Sequence, residues 1–155
     1  MIWEELNPEM IITGLEASDS TDVLTRVGRI VINAGYAKET YVDALIKREK
    51  DYPTGLDIDG QGVAIPHTDV SHVLKEGIAI AVLNKPVTFL QMGTDDEPVE
   101  VQLVFMLSVV DPSSHIEQLQ RILEIIQDKA VLEKILELKD AQEIINVVRE
   151  KENTL

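Results

Sequence analysis

Two runs of the sequence contain only apolar residues, and they restrict the fold more than any other feature. They cover residues 78–83 and 103–107. Successive side chains of a β-strand point to opposite faces of its sheet, so a strand that is apolar at every position is covered on both sides. The residues around these runs are Gly, Pro, Asn and Asp, which favour short strands. The chain therefore requires a sheet that lies between two other layers.

The middle of the chain contains further strand-like segments. The links between them are too short for helical crossovers, so some neighbouring strands must pair antiparallel. The sequence predicts four strands there, at residues 62–66, 77–83, 87–90 and 99–110, and two of these contain the apolar runs.

Helical periodicity precedes and follows these strands. Polar side chains at residues 18–22 offer N-caps for a first helix, and Asp111 and Pro112 are typical of an N-cap and a first helical residue. The sequence therefore predicts an α/β fold: a mixed, parallel and antiparallel β-sheet of about five strands, flanked by α-helices on both faces. Predicted helices begin within 18–22 and end at Gly35, run at about 38–51, begin at 112, and occupy about 131–138 and 141–150.

Length and composition narrow the class of protein. At 155 residues we expect a single domain that spans residues 1–155. The formal net charge of -14 repels phosphate backbones, so we expect no nucleic-acid partner. The chain has no cysteine, which excludes disulfides and thiolate chemistry. The first residues lack the features of a signal peptide, and we expect a cytoplasmic protein.

His67 is the strongest candidate for chemistry. It follows the strand predicted at residues 62–66, and Pro66 cannot donate a sheet hydrogen bond, so the imidazole is presented at the end of a strand. A neutral imidazole is a nucleophile near pH 7 and can receive and pass on a phosphoryl group. The alternative is a strand-end histidine that only hydrogen bonds to a nearby carbonyl.

Two further residues could complete a site for an anion. His115 lies in the first turn of the helix that begins near Pro112, on its inward stripe, where free N–H groups favour an anion. Arg48 shares a stripe with Tyr41 and Leu45 at the end of the second helix, so its guanidinium can reach toward residues 53–55. The alternative for Arg48 is a solvated side chain that favours the helix dipole.

These residues resemble a known family. The pattern is similar to the active-site region of the fructose/mannitol-type IIA (EIIA) domains of the bacterial phosphotransferase system (PTS), over about residues 20–150. The flanking residues look most similar to the galactitol-type branch. The resemblance is carried by Arg48-Glu49, Thr54-Gly55 and the Gly-Val-Ala-Ile-Pro-His sequence at 62–67, and its galactitol character by residues 44–49, 52–56 and Thr68-Asp69.

The resemblance implies a phosphorelay. The protein HPr would donate a phosphoryl group to His67, which would pass it to a cysteine of the cognate EIIB, serving the membrane component EIIC. Arg48 matches the arginine that neutralises the phosphoryl group, and His115 matches a second histidine of mannitol-type members. Thr54 would bond the phosphate. The chain would be a histidine phosphotransferase without cofactor or metal, and no nucleotide-binding loop is present.

Three alternatives remain from the residues. A regulatory, nitrogen-type IIA protein would be phosphorylated on the same histidine but would control target proteins by binding. His67, His72 and His115 could instead hold zinc, although their spacing matches no zinc motif. The chain could also be an interaction domain without chemistry.

In the phosphorelay interpretation, Val70 and Val73 either form an apolar docking patch or belong to the core.

Overall fold

The computed structural model describes residues 1–94 and 96–155, which form a mixed sheet with helices on both faces. This confirms the predicted fold class. The strands are β1 (Leu6–Leu15), β2 (Gly55–Ile58), β3 (Gln61–Ala64), β4 (Gly77–Leu90) and β5 (Pro98–Ser108). The α-helices are α1 (Ser20–Asn33), α2 (Tyr41–Asp51), α3 (Pro112–Ile126), α4 (Lys129–Glu137) and α5 (Ala141–Glu152), with short 3-10 helices at Ile2–Glu5 and Val70–His72.

The described strands lie in the order β1-β4-β5-β3-β2. Parallel pairing joins β1 to β4 and β3 to β5. Antiparallel pairing joins β4 to β5 and β2 to β3. The two central strands, β4 and β5, contain the two apolar runs, so the expectation of interior strands covered on both sides is confirmed.

The strand boundaries differ from the sequence prediction in three places. The runs at 77–83 and 87–90 belong to one strand, β4, which bends through a register shift between Val82 and Val87. The exposed Pro86 falls within that shift, where no regular ladder bond is required. β1 and β2 were not predicted as strands. Both are edge strands and are less apolar, so the pattern of a doubly covered strand is absent from them.

The core consists of two apolar clusters, one on each face of the sheet. One face packs against α3, α4 and α5, and the other packs against α1 and α2. Alternate residues of β4 separate accordingly: Ile78 and Ile80 belong to the first cluster, whereas Ala79 and Ala81 belong to the second. On α3, Ile122, Ile125 and Ile126 are buried against the sheet, whereas Ile116 is exposed.

One residue of β5 connects the sheet to the segment that carries His67. The N–H of Leu107 donates to the carbonyl of Pro66 at 2.9 Å, and the hydroxyl of Tyr41, in the first turn of α2, donates to the carbonyl of Leu107 at 2.7 Å. Both contacts are buried, so they strongly favour one position of the chain just before His67. None of the helices in the described part of the chain is long and apolar enough to cross a membrane.

Candidate functional site

A cleft of about 230 Å³ lies beyond the end of β3. Residues from four parts of the chain meet there: the end of α2, the segment after β3, the segment after β5 and the first turn of α3. Three of the four site residues predicted from sequence, Arg48, His67 and His115, line it. The remaining lining residues are Thr68, Asp69, Val70, Val109 and Pro112.

The imidazole of His67 is half-buried and is held by a single hydrogen bond. Its Nδ1 lies 3.1 Å from the carbonyl oxygen of Ile65. A carbonyl oxygen can only accept, so Nδ1 carries the proton and donates it. In the neutral ring the lone pair is therefore on Nε2, which has no hydrogen bond to any of the described residues.

The surroundings of His67 favour this neutral form. The pKa of His67 is lowered from 6.5 to about 4, mainly by burial and to a smaller extent by the charges of His115 and Arg48, although the bond to Ile65 opposes the shift. Burial has this effect because the imidazolium ion loses hydration inside the protein. The ring is thus an uncharged nucleophile at neutral pH.

This electrostatic setting predicts the pH titration of His67. We expect its ring to be neutral at pH 6.5 and to protonate only in more acidic solution, with a midpoint of about 4. Because the folded-state pKa lies below the unfolded value, stability from the neutral ring is present above pH 6.5 and declines as pH falls toward 4. ¹H–¹⁵N NMR of the ring measures the midpoint. An ordinary midpoint near 6.5 would show that the ring is not held in this environment.

His115 forms the opposite wall of the cleft. Its ring centroid lies 4.5 Å from that of His67, and the two rings are tilted by 46°. It projects from the first turn of α3, where Asp111 caps the helix by accepting from the N–H of Ser113. Burial, and secondarily the charge of Arg48, lower the pKa of His115. Its buried Nδ1 has no hydrogen-bond partner among the described residues.

Arg48 brings a positive charge to the two imidazoles. It lines the cleft and also an adjoining groove, and its guanidinium carbon lies 5.3 Å from the centroid of the Tyr52 ring. Within residues 1–94 and 96–155 it makes no ion pair, and its buried Nε has no hydrogen-bond partner. The guanidinium is therefore available to an anion that enters the cleft.

Thr54, the fourth predicted site residue, does not line the cleft. It is almost fully buried, and its backbone N–H and its hydroxyl both donate to the carboxylate of Glu49, each at 2.7 Å. Its hydroxyl hydrogen is therefore already used. The structure does not bring this side chain into the cleft that Arg48, His67 and His115 line.

The remaining predicted residues separate as follows. Val70 is exposed and lines the cleft, whereas Val73 is buried in the core cluster with α1 and α2. His72 lies in the adjoining groove, where its Nδ1 is 2.8 Å from the hydroxyl of Thr40. The three imidazoles that a zinc site would require are thus not assembled. Among the described residues, no group of three His, Asp or Glu side chains could hold a metal ion.

Sequence reasoning did not single out Glu49 or the apolar wall formed by Val109 and Pro112. Glu49 was noted only as the neighbour of Arg48, and nothing in its local pattern indicates that it turns inward. Val109 and Pro112 flank the predicted N-cap Asp111, so the position of that cap could have indicated the wall.

The sequence matches, over residues 4–151, the family described as "Phosphoenolpyruvate-dependent sugar phosphotransferase system, EIIA 2". The match covers nearly the whole chain, so the chain belongs to this family. Its members are phosphotransfer components of sugar uptake systems, and the recognition made from the residues around His67 is confirmed.

Individual relatives agree with this assignment. The chain is 30% identical to the PTS system galactitol-specific EIIA component of Escherichia coli strain K12 over 130 residues, 84% of this chain and 86% of that protein. Nitrogen regulatory protein IIA-Ntr from Neisseria meningitidis has a similar structure, with a TM-score of 0.75, 26% identity and coverage of 95% and 98% of the two chains. The complex of Escherichia coli enzyme IIA-mannitol with phosphorylated enzyme IIB-mannitol shares the fold, with a TM-score of 0.78, 24% identity and coverage of 94% and 97%.

Proposed function

We propose that this chain is the phosphoryl carrier of a sugar or polyol phosphotransferase system. His67 takes a phosphoryl group from phospho-HPr and passes it to a cysteine of the cognate EIIB. The observation that supports this best is the orientation of His67: Nδ1 is bonded to Ile65, and the nucleophilic Nε2 and the Arg48 guanidinium, which share a cleft, have no hydrogen bond and no ion pair, respectively, to the described residues.

The transfer onto His67 requires little beyond alignment and charge stabilisation. The lone pair of Nε2 forms a bond to phosphorus as the bond between phosphorus and the donor histidine nitrogen breaks, and the donor ring leaves with that electron pair. The phosphorylated His67 ring carries a positive charge, which the Nδ1–H bond to Ile65 stabilises. In the second transfer a cysteine thiolate attacks phosphorus, and Nε2 is the leaving group.

Arg48 and His115 act on the phosphoryl oxygens. Arg48 supplies charge that is not neutralised within the described residues, and it is already in place before the donor arrives. His115 lies against His67 on the opposite wall of the cleft, where its ring can contact a phosphoryl group carried by His67. Thr54 is not assigned a contact with the phosphoryl group, because its hydroxyl already donates to the carboxylate of Glu49.

The surface around the cleft is suited to brief docking of two proteins in turn. Large exposed apolar side chains lie on the segments that form the cleft, and a small apolar patch favours a complex that forms and separates quickly. These residues are Tyr52, Val70, Leu74, Val110 and Ile116. HPr and EIIB would use this surface in the cytoplasm, and EIIB would then serve the membrane component EIIC. The mannitol IIA–IIB complex supports EIIB as a partner because its IIA chain has the same fold.

Galactitol is the sugar alcohol that we propose for the transport system. The support is the galactitol-specific EIIA relative, which matches most of both chains. A regulatory role is the second candidate, because the nitrogen regulatory protein shares the fold over almost the full length. In that case the same phosphorylated histidine would control binding to a target protein.

One assay tests the carrier proposal and separates it from the regulatory one. The chain is incubated with phosphoenolpyruvate, enzyme I and HPr, and then with the cognate EIIB. We expect the chain to be labelled and the label to move to EIIB. Failure to take up label would refute the carrier function. A label that never reaches EIIB, together with a target protein that binds only the unphosphorylated chain, would favour regulation.

The charge of Arg48 predicts a kinetic effect. We expect Arg48→Ala to slow transfer from phospho-HPr by about 100-fold, the usual cost of removing one group that stabilises developing charge. Arg48→Lys should restore only part of the rate, because a lysine cannot make two parallel bonds to a phosphoryl group. Rapid-quench kinetics measures the rate, and Arg26→Ala, an exposed arginine of α1, is the matched control. Unchanged transfer in Arg48→Ala would remove Arg48 from the site.

A further inference from the structure

Glu49 has an unusual setting for a carboxylate at the end of a helix. It follows Arg48 in α2 and is only partly exposed, whereas its neighbours Lys50 and Asp51 are exposed. Its two carboxylate oxygens accept from the N–H and the hydroxyl of Thr54, each at 2.7 Å. Glu49 therefore joins the end of α2 to the residue that immediately precedes β2.

The connection continues from Thr54 to the site histidine. The carbonyl of Thr54 accepts from the N–H of Ile65 at 3.2 Å. The carbonyl of Ile65 in turn accepts from Nδ1 of His67 at 3.1 Å. Ile65 is fully buried, so a shift of Thr54 would be transmitted to the carbonyl that orients the imidazole.

This arrangement is costly for the folded protein. Glu49 has no cationic partner among the described residues, and burial raises the pKa of its carboxyl group even though both bonds from Thr54 oppose the rise. A partly buried charge without an ion pair lowers stability. Its presence is therefore better explained by what it holds in place than by a gain in stability.

We propose that Glu49 is a positioning residue for the phosphoryl-transfer site. Through Thr54 and Ile65 it sets the orientation and tautomer of His67, and by fixing the last turn of α2 it holds Arg48 at the cleft. This inference rests on the proposed phosphoryl-carrier function. It also assigns to Thr54 a role in orienting His67 in place of contact with phosphate.

The variants separate positioning from simple support of the fold. Glu49→Gln keeps both contacts, because its amide oxygen accepts from the Thr54 N–H and its amide group donates to the Thr54 hydroxyl. Glu49→Ala removes both contacts, and Thr54→Val removes only the one made by the hydroxyl. Lys50→Ala, an exposed change in the same turn, is the control.

Two measurements are made on each variant: transfer kinetics from phospho-HPr, and ¹⁵N NMR of the His67 ring, which reports the tautomer without any partner. For Glu49→Ala we expect kcat to fall about 10- to 100-fold with little change in KM, as expected for a misaligned reacting group. The ring nitrogens should shift toward the average of two tautomers. Glu49→Gln should restore the rate and the spectrum, and Thr54→Val should lie between.

Several results would overturn the proposal. If Glu49→Ala only lowers the melting temperature, and kcat and the His67 spectrum stay as in the wild type, Glu49 merely supports the fold. A Glu49→Gln variant as impaired as Glu49→Ala would show that charge, and not hydrogen bonding, is required. Should Glu49→Ala fail to fold, wild-type behaviour of Thr54→Val in both measurements would also refute the proposal. If the wild-type chain accepts no phosphoryl group, the carrier function is refuted. The ¹⁵N spectra of the His67 ring in the wild type and in Glu49→Ala would still show whether Glu49 orients that ring.

Discussion

We expect His67→Ala to lose all phosphoryl uptake from phospho-HPr while it keeps its fold. The variant removes the nucleophile, and neither Arg48, which is a cation, nor a cysteine, which the chain lacks, can replace it. His115 is the one other imidazole in the cleft, and its Nδ1 is buried. The loss should therefore exceed that of any other substitution at the site. The measurement is the amount of label after incubation with phosphoenolpyruvate, enzyme I and HPr.

The chemical behaviour of the label and two control variants complete this test. A phosphoryl group on histidine is labile in acid and stable in base, and the wild-type label should behave so. His72→Ala should be labelled like the wild type, because His72 lies in the groove beside the cleft and is bonded to Thr40. His115→Ala should be labelled more slowly. If His67→Ala retains label, the phosphoryl group is carried elsewhere and the proposed mechanism is wrong.

The second large effect concerns the strand that leads to His67. A Cβ atom added at Gly62 would lie 1.8 Å from the carbonyl oxygen of Glu100 and 2.5 Å from its carbon. Both are backbone atoms of β5, a central strand that cannot move aside without disturbing β3 and β4. We expect Gly62→Ala to lower the free energy of unfolding by about 3 kcal/mol or more, the upper range for overpacking. Urea unfolding measures the change.

Gly60→Ala is the matched control for this substitution. Gly60 has a φ of +89°, and an added Cβ there meets no described atom within 4 Å. The cost should be only that of the left-handed backbone conformation, about 1–2 kcal/mol. Equal losses of stability in the two variants would show that the close approach between Gly62 and β5 is not as tight as the structure has it.

The sequence was most informative where burial is complete. The apolar runs in β4 and β5 predicted a doubly covered sheet, because only an interior strand requires apolar side chains on both faces. The N-cap at Asp111 was predicted because capping is a local interaction. The edge strands β1 and β2 were missed, because one side of each lacks a neighbouring strand and their sequences carry polar residues and Pro8.

The site was predictable in part for the same reason. His67 and His115 were selected from local context, since each lies at the end or the beginning of a recognisable element. That they come within 4.5 Å of each other depends on how α3 packs over the sheet, which no local pattern contains. Thr54 was expected to bond the phosphate because the family resemblance places its hydroxyl or its backbone near that group. In the structure the Thr54 hydroxyl instead donates to Glu49. This bond requires the Glu49 carboxylate to turn inward, although charged side chains usually prefer water.

The central claim is that the neutral ring of His67 accepts the phosphoryl group on Nε2 because Nδ1 is bonded to Ile65. The most direct measurement uses the chain with ¹⁵N-labelled histidine, loaded by enzyme I, HPr and phosphoenolpyruvate, and records which ring nitrogen couples to phosphorus. We predict coupling to Nε2 of His67 and a retained proton on Nδ1. Phosphorus on Nδ1 of His67, or on any other residue, would contradict this account.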